Sequence, residues 1–275
     1  MPSISVLMGV YHPGDDTNDL RRAVDSVLGQ TFEDFEFLIC DDGSSKTVQN
    51  LLEQYAEQDN RVRLIRPGNV FRLPDKLNAC IHSARGDFFA RQDADDLSAL
   101  NRFEKQIAVL KTHPEIAFVG CNVTLICDGN ECGERCFPKL PQKEDFLFSM
   151  PFIHPALMFR RNAILAVGGY SQSKWAVLCE DYDLLLRLYE KGFYGYNLNE
   201  RLFFYQVSPF DYKKRKYHHR INEAVTRYRR FRALGMLPKG LPYVIKPLAV
   251  GLLPHKVLDY LKRGQTFQRR RHHWK

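Results

Sequence analysis

The 275 residues are 44% apolar and 26% charged, a balance that excludes a disordered or membrane-spanning chain. No run of about 18 apolar residues could form a transmembrane helix, and "MPSISVLMGVYHP" lacks the basic flank of a signal peptide. The net charge of +8 is unevenly spread: residues 211–275 hold 18 Lys and Arg against 3 Asp and Glu, residues 1–210 hold 22 against 29, so an acidic body carries a basic tail.

In chain order, "ISVLMG" (4–9) reads as a buried strand, apolar at 4 and 6–8. "DLRRAVDSVLGQ" (19–30) sets Leu20, Ala23, Val24, Val27 and Leu28 at helical spacing and stops near Gly29. "FEFLIC" (35–40) is a second strand, followed by the turn "DDGSS" and a helix over 46–58. "VRLI" (62–65) is a third strand, "DKLNACIHSA" (75–84) a helix ending before Gly86, and "FFAR" (88–91) a fourth strand. From 116 the texture changes: "IAFVGCNVTLIC", "DGN" and "ECGERCFP" read as a hairpin turning at Asp128-Gly129. "HPALMF" (154–159) is another strand, and "EDYDLLLRLYEKG" (180–192) a helix closed by Gly192. A strand near 202–207 precedes two basic helical segments, 212–235 and 241–263. Pro242, Pro247 and Pro254 must kink or divide the second.

Strand–helix alternation with buried strands predicts an α/β fold on a parallel or mostly parallel sheet flanked by helices. Ligands in such sheets bind beyond the carboxyl ends of the strands. "CDDGSS" and "RQDADD" both fall there, so two acidic clusters are expected to face one site.

Each cluster has a chemical and a plain reading. Asp93, Asp95 and Asp96 could hold Mg²⁺ or Mn²⁺, which take oxygen ligands and leave positions for phosphate oxygens. Equally, Asp96 could cap a helix beginning near Ser98 while the others are solvated. Asp41 and Asp42 could accept the N3–H of uracil, a donor that cytosine and adenine lack, with Tyr11 stacked on the base. Taken alone, "DDGSS" is a tight turn with a helix cap. Glu180, Asp181 and Asp183 open a helix, where the macrodipole favours carboxylates without any function. One of Glu180 and Asp181 could instead serve as a general base toward an attacking hydroxyl.

Seven cysteines at irregular spacing fit reduced thiols of a cytosol. Those at 121, 127, 132 and 136 lack the C-x₂-C knuckles of common zinc sites and read as packed thiols. The tail, with "YKKRKYHHRINEAVTRYRRFRALG" and "LPYVIKPLAVGLLPHKVLDYLKR", interleaves cations with apolar residues. That pattern favours an anionic membrane surface over a solvated structural face, and either over nucleic acid.

Together the stretches "SVLMGVYH", "AVDSVLGQTFEDFEFLICDDGSS", "LNACIHSARGDFFARQDADD", "HPALMFRRNAILAVGGY" and "CEDYDLLLRL" resemble the family-two inverting glycosyltransferases with the GT-A fold, over about residues 3–208. The resemblance implies a UDP-sugar donor, Mn²⁺ or Mg²⁺, and inversion at the anomeric carbon by direct displacement. It casts Tyr11, Asp41, Asp42, Arg91 and Asp93 as donor-binding and Asp95 as the metal ligand. Asp181 becomes the catalytic base, Glu180 its neighbour in the acceptor pocket, and His154 part of the acceptor wall. Relatives often follow the base helix with a strand ending Arg-Val-His; here "YQVSP" puts Gln206 and Ser208 in those places, and His218 or His219 could substitute. The expected organisation is a glycosyltransferase domain over 1–210 and a basic helical extension over 211–275. The implied acceptor is a glycan or lipid-linked glycan, and the implied location the cytoplasmic face of the cell membrane. Two rivals remain at this point. A nucleotidyltransferase would need a basic Gly-rich loop after the first strand, which "GVYHPGDD" lacks. A non-catalytic protein would use the tail to bind membrane or RNA.

Overall fold

The computed structural model describes residues 1–68, 72–207 and 216–252. Its first half is a strand–helix alternation: β1 (Ile4–Val10), α1 (Asn18–Leu28), β2 (Phe35–Asp41), α2 (Lys46–Gln58), β3 (Val62–Ile65), α3 (Leu73–Ser83) and β4 (Phe88–Arg91). The strands lie parallel in the order β3-β2-β1-β4. Alternate side chains enter two cores, as a sheet covered on both faces requires. Ile4, Val6, Met8 and Val10 pack with Val24 and Leu51 on one face, while Leu7, Leu38 and Phe89 pack with Leu77 on the other. Ser45 starts α2 by accepting the Val48 N–H at 3.3 Å.

The second half adds β5 (Leu97–Ser98), α4 (Arg102–Thr112), β6 (Ile116–Cys127), β7 (Asn130–Arg135), β8 (Met158–Arg160), α5 (Arg161–Ala166), α6 (Glu180–Glu190) and β9 (Tyr194–Gln206). One nine-stranded sheet results, ordered β3-β2-β1-β4-β8-β6-β9-β5, with β7 on β6. β8 is antiparallel to both β4 and β6, β9 is parallel to β6, and β5 is antiparallel to β9. The sheet is thus parallel through its first four strands and mixed beyond them. The hairpin turns at Asp128 and Gly129, both at positive φ, as a two-residue turn between twisted strands demands.

Several expectations change in this half. Residues 154–159 are not one strand: His154–Ala156 form a 3₁₀ turn, Pro155 lacks the N–H a strand ladder needs, and pairing starts at Met158. No helix begins near Ser98. Leu97 and Ser98 pair with Phe204 and Phe203, and α4 waits until Arg102. β9 starts at Tyr194 and not near 202, because its polar first half hydrogen-bonds along β6 despite weak strand propensity. Cys127 and Cys132 are joined as a disulfide across the hairpin, where reduced thiols were expected; Cys40, Cys80, Cys121 and Cys179 are buried free thiols and Cys136 an exposed one.

The basic extension supplies α7 (Tyr217–Ala233) and α8 (Leu237–Gly251), with Pro242 and Pro247 inside α8, which is continuous through both. Pro254 and Ser208 lie outside the described residues. α7 packs on α6 through Arg230, which binds Asp183 at 2.9 Å and Glu190 at 3.0 Å; within α6, Arg187 also binds Asp183 at 2.8 Å. The Thr226 hydroxyl donates to the Trp175 carbonyl at 2.7 Å. Asp183 is itself buried and is shared by two guanidiniums, one from each helix.

Candidate active site

Parallel register brings the first cluster together. Val10 pairs with Asp41 across β1 and β2, so Tyr11 and Asp42 leave adjacent strand tips side by side. Gly43 takes φ +79°, a left-handed turn that glycine adopts without strain, and lies against the Tyr11 ring. Ser44 accepts the His12 N–H at 3.0 Å, which ties the two tips. Tyr11 remains 62% exposed, an aromatic face open to solvent beside carboxylates. One oxygen of Asp41 and one of Asp42 are buried with no hydrogen-bond partner, acceptors waiting for a donor.

A lysine absent from the sequence-derived site sits beneath them. Lys76 of α3 is 2% exposed, donates to the Val10 carbonyl at 2.6 Å, and lies 5.2 Å from the Tyr11 ring centre. Burial lowers its pKa, and the charges of Asp42, Cys40 and Asp41 oppose that fall. The approach depends on Gly9, where a Cβ would meet Leu73 at 2.9 Å and the Lys76 Cβ at 3.2 Å. Lys76 shares the helical stripe of Leu73, Leu77 and Cys80; a cation on an apolar stripe was the signal available.

The second cluster follows β4. Arg91 is buried and donates to the Leu7 carbonyl at 3.2 Å, to the Gln92 carbonyl and to Asp93. Burial opposes its charge, but Asp93 and Tyr170 outweigh that and raise its pKa. Both buried cations are therefore held by carbonyls of one strand, Lys76 at Val10 and Arg91 at Leu7. Asp96 is buried; one oxygen accepts the Gln206 N–H at 2.7 Å and the other has no partner. Its pKa is raised well above the carboxylate range by burial and by the charges of Asp93 and Asp95. Gln206, read from the sequence as a departure, thus closes β9 onto the acidic loop. Gln92 braces the loop, donating to the Asp96 carbonyl at 2.8 Å and accepting from Ser98 at 2.7 Å. Arg102 supports Arg91 from below, donating to its carbonyl at 3.0 Å, and burial depresses its pKa to about 10.

Among the described residues no three His, Cys, Asp or Glu side chains converge as a complete metal cage. Magnesium and manganese at diphosphates need less, one or two carboxylates with phosphate and water oxygens. Asp95 is exposed beside half-buried Asp93, and the second Asp96 oxygen is a buried oxygen without a hydrogen-bond partner. This all-oxygen donor set fits such a cation.

The third cluster opens α6. Glu180 and Asp181 are half-buried in its first turn, and Asp181 accepts the Tyr182 N–H at 2.7 Å. Tyr170 lies within electrostatic reach of this cluster and the second. Its buried hydroxyl has a raised pKa, mainly from desolvation; Arg91 lowers it, and Asp93, Asp181 and Glu180 each raise it. One side chain therefore feels the acidic loop and the start of α6 together. His154 is buried, its Nε2 2.7 Å from the Tyr170 hydroxyl, and burial with the Arg91 charge keeps it neutral. It holds Tyr170 and does not line open space. Tyr170 also lines a cavity of about 400 Å³ with Asn78, His82, Gly168 and Arg187, which none of the candidate carboxylates reaches. His219 lies in the first turn of α7, accepting the Lys216 N–H at 3.0 Å.

Residues 5–168 match the family model described as glycosyl transferase family 2. The putative glycosyltransferase EpsE of Bacillus subtilis is 33% identical over 94% of this chain and 92% of its own length. The O-antigen biosynthesis glycosyltransferase WbnJ of Escherichia coli is 33% identical over 74% of this chain and 79% of its own. The fold is also that of Staphylococcus aureus TarS 1–349 in complex with UDP-GlcNAc: TM-score 0.70, 14% identity, covering 97% of this chain and 81% of that one. With a family model spanning more than half of its residues and a relative aligned almost end to end, the chain belongs to glycosyl transferase family 2.

Proposed function

We propose that the protein transfers a sugar from a UDP-sugar to a hydroxyl of a growing cell-surface glycan, inverting the anomeric centre. The observation that carries this reading is the first strand-tip cluster, where Tyr11 stands 62% exposed beside buried oxygens of Asp41 and Asp42 that have no hydrogen-bond partner. Tyr11 would stack on the base, and Asp42, with Asp41 beside it, would accept the uracil N3–H through oxygens that have no partner in the protein. Arg91 would keep Asp93 oriented toward the ribose and diphosphate. Asp181, its carboxylate fixed by the Tyr182 N–H, would take the acceptor hydroxyl proton as that oxygen attacks C1. The C1–oxygen bond to the β-phosphate breaks on the opposite face and UDP departs. Asp95, with Asp93 or Asp96 adjacent, would hold Mn²⁺ or Mg²⁺, which when bound offsets the charge of the leaving diphosphate. The names of WbnJ and TarS's ligand support a polysaccharide acceptor and a UDP-linked donor respectively. The acidic body with its basic tail supports work at the cytoplasmic membrane face on lipid-linked acceptors.

Thermal shifts across a panel of nucleotide sugars with Mn²⁺ test this. One UDP-sugar should raise the melting temperature, and EDTA or Asp95→Ala should abolish the rise. A shift from guanosine donors alone, or one indifferent to EDTA, would overturn the donor or the metal assignment.

A further inference from the structure

α8 is apolar on both faces. Its inner face, with Gly240, Val244 and Pro247 buried, packs in the antiparallel hairpin with α7, Gly240 against Phe231 and Gly251 against Tyr217. Its outer face carries Leu241, Ile245 and Leu252 at 49%, 53% and 73% exposure, with Pro238, Pro242 and Ala249 exposed beside them. Exposed apolar residues are unremarkable singly, but here they form a stripe along one helix. Phe148 extends it, also exposed, with the Lys246 ammonium 3.5 Å from its ring centre.

The surrounding charge narrows what covers this stripe. α8 contains Lys239 and Lys246 and no carboxylate. Lys216, which precedes α7, and Arg229 and Arg232 on α7 are exposed. The next 23 residues of sequence, 253–275, hold seven Lys and Arg against one Asp. An apolar stripe edged by cations matches a helix lying in the head-group plane of an anionic bilayer. A second copy of this chain would set like charges against each other across a two-fold axis. No described helix is long and apolar enough to cross a membrane.

We propose that the outer face of α8, continued by Phe148, is the docking surface for an anionic lipid bilayer, with α8 lying flat on it. Docking would then orient the catalytic end, because α7 joins α8 to α6 through Arg230–Asp183 and to the turn before α6 through Thr226–Trp175. That consequence rests on the glycosyl-transfer reading; the docking does not.

Flotation of the full chain with vesicles of phosphatidylcholine, with and without phosphatidylglycerol, tests it. Binding should require phosphatidylglycerol. Leu241→Glu combined with Ile245→Glu should weaken it about tenfold or more, while Leu165→Glu, at an exposed apolar position on α5, should leave it unchanged. Ile245→Trp should strengthen it. An unchanged UDP-sugar thermal shift would certify that each variant is folded. Equal flotation of the double variant would overturn the proposal, because the basic tail alone would then suffice. A dimer in light scattering that the double variant dissolves, without vesicle binding, would overturn it in favour of self-association. Docking without any UDP-sugar binding would leave this surface standing and remove the transfer reading; transfer to a soluble acceptor without docking would do the reverse.

Discussion

The half of the sheet built on β1, β2 and β4 and the half built on β6, β8 and β9 make a site in different ways. In the first, each candidate side chain follows its own strand by a residue or two: Tyr11 after β1, Asp42 after β2, Asp93 after β4. Register then does the assembling, and neighbours are set by parallel pairing. In the second, the contacts join distant segments: Gln206 reaches Asp96, His154 holds Tyr170, and Arg230 holds Asp183. The first half is thus a row of strand ends, and the second a set of clamps between segments 16 to 110 residues apart. Substitutions should therefore act locally in the first half and cooperatively in the second.

The largest effect should come from Asp181→Asn. Transfer should fall by about 10²–10⁴-fold, the usual contribution of general acid–base catalysis, while the calorimetric affinity for the UDP-sugar stays within error. Retained transfer would remove the base from α6.

Tyr11→Ala should cost about 1–3 kcal/mol of nucleotide affinity, the worth of stacking a base on an aromatic ring. Because the ring is exposed, the melting temperature of the unliganded protein should not move. A stability loss instead would make Tyr11 part of the core.

Lys76→Met sharpens the contrast differently. It leaves the carbonyl of Val10 without its donor and the carboxylates of Asp41 and Asp42 without a nearby cation. Urea denaturation should show a loss of about 1–3 kcal/mol, the cost of leaving a buried polar group unsatisfied, accompanied by weaker UDP-sugar binding. Unchanged values for both would show that Lys76 supports neither fold nor base pocket.

The smallest effect concerns His154. Its pKa is depressed in the folded protein and returns to about 6.5 on unfolding. Below that value the unfolded chain takes up a proton that the folded chain refuses, so the stability this residue supports is present above pH ~6.5 and lost as pH falls toward the folded pKa. The stability difference between wild type and His154→Gln, followed by denaturant titration from pH 7.5 downward, should therefore shrink as the solution is acidified. A difference independent of pH would mean that His154 is protonated in both states or in neither.

Helix 46–58 and strands 62–65 and 88–91 could be placed from sequence because periodicity, turn residues and the Ser45 cap all act within a few residues. The same locality made Asp42, Asp93 and Asp181 conspicuous. It misled at His154-Pro155, where the apolar run suggested a strand but the missing proline N–H decided for a turn. It misled again at Asp96, which caps no helix and instead meets a strand 110 residues away. Lys76, Gln92, Arg102 and Tyr170 escaped notice because a polar residue's role in a core depends on which carbonyl or charge the fold brings beside it. Lys76 and Arg102 each sat on the buried stripe of a helix, and that misplacement was the trace they left.

By itself the sequence determined the alternation of strands and helices, the carboxylates at their ends and the basic character of the tail, all consequences of short-range pattern and composition. Only the tertiary structure decided that His154 meets the Tyr170 hydroxyl, that Lys76 and Arg91 hang from one strand, and that α7 is clamped to α6. Those are desolvated electrostatic contacts between residues far apart in the chain, and their energy exists only once the packing that excludes water has formed.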